Sequence, residues 1–138
     1  MSVGEETIDS QHKKLLAYMG RLEKIISSLD VNMGQLRETI HFLYTYIKEH
    51  FSYEEEYMLN NGFPSLEEHR KMHGEFIKFY EDLQKKLREK FSNPDFSSFE
   101  IKELLEDAEK YLREWLVHHI KGADQVYAGY IRKTKKTK

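Results

Sequence analysis

Apolar side chains recur along this chain at alternating intervals of three and four. One series reads His12, Leu15, Met19, Leu22, Ile26, Leu29; a second reads Leu36, Ile40, Leu43, Ile47, His50, Glu54. A third reads Leu66, His69, His73, Phe76, Tyr80, Leu83, Leu87, and a fourth Ile101, Leu105, Ala108, Leu112, Trp115, His119. That rhythm is the stripe of an amphipathic helix turned toward a bundle core, so it predicts four helices. Glu, Lys, Arg and Gln fill the intervening positions; they favour helix and face water.

The interruptions fall between the stripes. Asp9 or Ser10 is placed to cap the first helix, because either oxygen can accept from the free N–H groups of a first turn. DVNMGQ separates the first helix from the second, NNGFPS the second from the third, and FSNPDFSS the third from the fourth. Gly62 can take a left-handed turn and Pro64 cannot continue a helix. Ser65 followed by Glu68 reads as a capping box for the third helix. Links this short join antiparallel neighbours, so the fold class is all-α, an up-down-up-down four-helix bundle. It is expected to occupy residues 1–130, with IRKTKKTK at 131–138 as a basic, flexible end.

Composition narrows the function. At 138 residues there is room for one domain of ordinary size. A formal charge of −2 gives no basic excess with which to displace counterions from nucleic acid, so none is expected as a partner. The absence of cysteine removes disulfides, thiolate nucleophiles, iron–sulfur clusters and thiolate zinc sites. No apolar run approaches the roughly 20 residues of a membrane span, and the first residues lack the apolar stretch of a signal peptide. A cytoplasmic location, without membrane attachment, is the expectation.

Six polar groups sit on the stripes where Leu or Ile would serve packing: His12, His50, Glu54, His69, His73 and His119. Burying an unpaired carboxylate costs several kcal/mol, and a buried imidazole needs partners for both nitrogens. A lone histidine on an apolar stripe is usually a satisfied core residue. These six, however, share a level. The starts of odd helices and the ends of even ones meet at one end of such a bundle. His50/Glu54 and His69/His73 are each four apart, one turn along one face. Asp124 follows His119 by five, off an ideal stripe, but Gly122 can loosen the last turn and return the carboxylate to the core. Five imidazoles and two carboxylates exceed the needs of one zinc ion. They suit two six-coordinate ions with bridging carboxylates and at least one position left open. Imidazole and carboxylate without thiolate suit iron or manganese and do not exclude zinc.

These residues resemble the hemerythrin family, in particular its single-domain bacterial members. The resemblance runs from Gly4 to about Tyr127. It is carried by IDSQH at His12, HFSYEEEYM from His50, the loop into FP, HRKMH from His69 to His73, and WLVHHIKGAD from Trp115 to Asp124. It implies two iron ions joined by an oxo or hydroxo bridge. His69, His73 and His119 would hold one; His12 and His50 would hold the other, which keeps an open position; Glu54 and Asp124 would bridge them. His118 is rotated about 100° from His119 and is read as a surface neighbour; His41, off the stripe at the far end, is read as structural or solvated. Trp115 and Leu116 resemble the family's bulky wall beside the open iron, with Leu15, Phe51 and Ile120 as its neighbours and Tyr127 behind the site. Glu5 departs from the apolar residue that usually follows the family's glycine, and the arm before it is short.

The resemblance further implies reversible binding of dioxygen, for carriage or storage, by a protein that is not an enzyme. An electron donor or an oxygen-consuming partner would fit that role, though no motif identifies one. Oxygen or redox sensing, or iron storage, would use the same centre. A ferritin-type enzyme would need two Glu-x-x-His pairs; Glu38 to His41 is the single match, and it lies off the stripe. The His-Asp dipeptide of a metal phosphohydrolase does not occur.

Overall fold

The computed structural model describes residues 2–28, 33–92 and 98–136. It is all helical there: α1 (Glu6–Ser27), α2 (Met33–Asn60), α3 (Leu66–Phe91), α4 (Ser98–Lys121) and α5 (Ala123–Lys136). Each of the first four packs on its neighbours in the chain, and α1 also packs on α4, which closes the ring of an antiparallel four-helix bundle. The stripes read from the sequence are its inner faces. Met19, Leu22, Leu43, Ile47, Phe76, Tyr80, Leu105 and Leu112 are buried together in the main core. Leu29 and the links at 29–32 and 93–97 lie outside the described residues.

The helix ends differ from expectation in three places. α1 begins at Glu6, before Asp9 and Ser10. Its cap is Glu5, whose carboxylate accepts from the Ile8 N–H at 2.7 Å. Asp9, already inside the first turn, reaches back instead and accepts from the Val3 N–H at 2.8 Å and the Ser2 hydroxyl at 2.6 Å. These bonds hold the short arm down, and Val3 is buried against the bundle end. Ser65 does precede α3, but its side chain makes no capping hydrogen bond, so the box with Glu68 does not form. The basic end is helical through Lys136, and Ile131 is buried rather than part of a loose tail.

The α2–α3 turn follows the expected logic. Gly62 has φ +67°, its N–H bonds to the Leu59 carbonyl, and the Phe63 N–H reaches the Met58 carbonyl at 3.0 Å. That pair of bonds closes a helix with a left-handed residue, and the apolar contact that accompanies it is Phe63 with Met58 in one buried cluster.

A second apolar cluster, Val3, Ile8, Met58, Phe63, Leu66, Tyr127, Ala128 and Ile131, closes the bundle at this end. Every element passes from one cluster to the other through polar residues. On α1, His12 lies between Ile8 and Leu15; on α2, His50 and Glu54 lie between Ile47 and Met58; on α3, His69 and His73 lie between Leu66 and Phe76. On α4 and α5, His119 and Asp124 lie between Leu116 and Tyr127. The fold thus holds a polar layer between two apolar ones.

Candidate metal centre

His12, His50, Glu54, His69, His73, His119 and Asp124 are all buried in that layer, and both carboxylates are completely shielded from solvent. The break at Gly122 explains how Asp124 joins them. α4 ends at Lys121, the chain kinks, and Asp124 enters in the first turn of α5. A five-residue spacing therefore reaches the same level as the i, i+4 pairs. His118 is exposed and His41 is exposed at the far end, as their positions suggested.

The donor atoms form two groups. His69, His73, His119 and Asp124 bring one donor each within 4.8 Å of one another, as do His12, His50 and Glu54. The carboxylates touch both. Asp124 places Oδ1 at 2.9 Å from His69 Nε2 and 3.2 Å from His119 Nε2, and Oδ2 at 3.2 Å from His12 Nε2. Glu54 Oε1 lies 2.8 Å from His50 Nε2, 3.9 Å from His12 Nε2 and 3.8 Å from His73 Nε2.

Whether these residues fit a metal is decided by their hydrogen bonding. Buried polar groups normally find partners. Tyr80, on the same inner face of α3, does so by donating to the Ile40 carbonyl at 2.6 Å. In the polar layer, His12 Nδ1 and Nε2, His73 Nε2, Glu54 Oε1 and both oxygens of Asp124 make no hydrogen bond among the described residues. His69 Nε2 and His119 Nε2 face each other at 3.0 Å, where two neutral imidazoles can share at most one proton. Lone pairs that converge without protons between them are the arrangement a cation completes. The donor set, nitrogen and oxygen without sulfur, fits iron.

With protons as the only cations, the layer would be a tense ion cluster. Burial opposes a charge on His12, yet Asp124 and Glu54 outweigh it and raise its pKa to about 9. Burial and the neighbouring Asp124 push Glu54 up, but His12 and His50 pull it down to about 2. Asp124 is held well below the usual carboxylate range, against burial, by His119, His12 and His69. Burial moves His73 the other way, lowering its pKa despite Glu55. Two divalent ions would neutralise the same carboxylates without protonating the histidines.

The expected wall residues are all near the layer, in differing ways. Leu15, Leu116 and Ile120 have no exposed surface. Phe51 lies flat on His73, ring centres 3.8 Å apart, and Trp115 stacks on His119 at 4.5 Å. These two aromatics therefore cover the three-histidine group; the ring contacts of Trp115 are with Phe51, Phe76 and His119, not with His12 or His50. Tyr127 donates to Glu54 Oε2 at 2.7 Å. Two contacts escaped the sequence reading. Gln11 Oε1 lies 2.7 Å from His50 Nδ1, and Glu55 Oε2 lies 3.2 Å from His73 Nδ1. Each is adjacent to a seam residue and so sits off the stripe, and its partner is on another helix.

Fold and site together define a metal-binding four-helix bundle with two joined donor groups, one of three histidines and one of two. A family model described as the hemerythrin HHE cation binding domain matches residues 3–131, and the chain belongs to the hemerythrin family. It is 27% identical over 132 residues to a bacteriohemerythrin of Stenotrophomonas maltophilia, covering 96% of this chain and 78% of that one. It is 29% identical over 124 residues to a myohemerythrin of Theromyzon tessulatum, covering 90% and 82%. A bacteriohemerythrin of Methylococcus capsulatus is 28% identical over 119 residues, covering 86% and 82%. No helix among the described residues is long and apolar enough to cross a membrane.

Proposed function

We propose that this protein binds dioxygen reversibly at a di-iron centre, as a cytoplasmic carrier or store rather than an enzyme. His69, His73 and His119 would hold one iron and His12 and His50 the other, with Glu54 and Asp124 bridging. The observation that carries this reading is the inequality of the two groups. Both share the same two carboxylates, but one supplies three imidazoles and the other two, so one ion keeps a position for a small external ligand. When bound, the iron pair supplies the reversible redox chemistry that dioxygen capture and release require, through an oxo or hydroxo bridge.

The chain's own residues set the conditions. Leu15, Leu116 and Ile120 exclude water, and Phe51 and Trp115 stack on His73 and His119 of the three-histidine group. A dry pocket slows the entry of water and protons to the layer and so limits side reactions there. Tyr127 fixes the Glu54 oxygen that does not face the histidines. Among the described residues, no uncommitted acid or base adjoins the layer to process a substrate: Tyr127 is spent on Glu54, and burial, with Glu54 and Asp124 nearby, raises its pKa far beyond the phenol range.

Anaerobic ferrous protein exposed to air should gain visible charge-transfer absorption and lose it on deoxygenation, over repeated cycles. A band that forms once and never reverses would overturn reversible binding.

A further inference from the structure

The two groups differ in what stands behind them as well as in histidine count. Where Nε2 of a histidine binds a metal, Nδ1 carries the proton, and its acceptor sets how much electron density the ring offers. His50 turns Nε2 toward Glu54 Oε1, 2.8 Å away, and Nδ1 toward the Gln11 amide oxygen at 2.7 Å. That acceptor is neutral. His73 points Nε2 into the polar layer, 3.8 Å from Glu54 Oε1, and Nδ1 toward Glu55 Oε2 at 3.2 Å. That acceptor is a carboxylate. Arg70 fixes it: Arg70 Nε donates to Glu55 Oε1 at 3.1 Å, and Arg70 is itself tied to Glu67. Glu55 thus stands between a guanidinium on one oxygen and the His73 ring on the other, the place of an ion-paired carboxylate.

We infer that Glu55 and Gln11 are positioning residues that make the two metal positions electronically unequal. The carboxylate behind His73 biases the three-histidine position toward the higher oxidation state, and the amide behind His50 leaves the two-histidine position without that bias. Hydrogen bonds to ionised groups are about twice as strong as neutral ones. Glu55 therefore draws the Nδ1 proton away from His73 and leaves its Nε2 a stronger donor. A stronger donor stabilises a trivalent ion more than a divalent one. The position with no open site is thus the one equipped to give up an electron, while the position that keeps an open site is left closer to its ferrous preference. The inference rests on the di-iron reading and adds to it a division of labour between the two ions.

The test is a redox titration of the iron-loaded protein and of two single variants, with iron counted in each. Glu55→Gln should weaken the preference for ferric over ferrous iron by about tenfold, a rise of about 59 mV for a one-electron step. Gln11→Glu should move the potential in the opposite direction, because it gives His50 the partner that His73 already has. A second readout needs no iron. Zinc titrated into metal-free protein should bind Glu55→Gln roughly 10–100-fold more weakly at the three-histidine group. Potentials and zinc affinity indistinguishable from those of the unmodified chain, with folding and two irons retained, would overturn the inference. A merely structural role for Glu55 would lower the melting temperature and leave the potential unmoved, which also overturns it. Fewer than two irons in the unmodified chain would instead overturn the di-iron reading itself.

Discussion

Tyr127 and Glu54 are joined by one hydrogen bond, the phenol donating to Oε2 at 2.7 Å, with neither side chain reaching solvent. The bond links α5 to α2 across the end of the bundle and leaves Oε1 of the same carboxylate facing the histidines. Tyr127→Phe keeps the ring, and so the packing against Phe63 and His69, but orphans a buried carboxylate oxygen. Such a loss costs about 1–3 kcal/mol. Denaturant unfolding should register that loss in the variant; unchanged stability would mean the hydroxyl contributes nothing.

The carboxylates are the second test. Asp124 spans His12 on one side and His69 and His119 on the other, and Glu54 spans the groups in the same way. Asp124→Ala or Glu54→Ala should lower iron content, measured per chain, from two toward one. Retention of both ions would show that the bridges are assigned to the wrong residues.

Gly122 is argued from space. A Cβ there would meet the His118 carbonyl oxygen at 3.1 Å, and the Gly122 N–H bonds to that carbonyl at 2.9 Å. Gly122→Ala therefore shifts the junction that delivers Asp124. Weaker metal retention in a chelator competition is expected, with the α1–α3 helices intact by circular dichroism. Affinity equal to the unmodified chain would show that the junction tolerates the methyl group.

Leu116 is fully buried one helical turn before His119 and Ile120. Leu116→Ala should destabilise the fold by about 2–5 kcal/mol through the cavity it leaves. It should also hasten irreversible loss of the oxygenated spectrum, since water gains access. A variant that is less stable yet decays at the original rate would remove Leu116 from the pocket.

Glu109 supplies a pH test away from the centre. Burial raises its pKa above the usual 4.5; Arg113 opposes this and Glu23 adds to it. Folding therefore favours the protonated form. That contribution is fully present below about pH 4.5 and is lost as pH rises through the elevated folded value, so at neutral pH the charged side chain weakens the fold. Glu109→Gln should stabilise the fold at pH 7 by about 1 kcal/mol or less given the partial solvent screening, seen as a higher melting temperature, and the gain should vanish toward pH 4. A gain independent of pH would contradict the electrostatic origin.

Much of this was legible from period alone. A seam residue such as Phe76 or Leu112 is buried because three-and-four spacing keeps one side of a helix facing inward, and His12 or His73 is visible as an anomaly for the same reason. The convergence of six of the candidate donors follows from antiparallel topology, and that of Asp124 from the loosened turn at Gly122. What escaped was chemistry off the stripe. Asp9 looks like a cap in isolation, but its acceptors are better used by Val3 and Ser2 once Glu5 has taken the cap. α5 was hidden because Gly122 resets the helical phase, so Tyr127, Ala128 and Ile131 belong to no stripe begun on α4. Gln11 and Glu55 act across helices, and a periodicity carries no information about which neighbour a side chain meets.

Oxygen uptake by the fully reduced, iron-loaded protein is the most direct measurement. Titrated anaerobically, with iron counted in the same sample, it should take up one dioxygen for every two irons and return it under vacuum or inert gas. One iron per chain, or oxygen consumed without return, would contradict a reversible di-iron carrier.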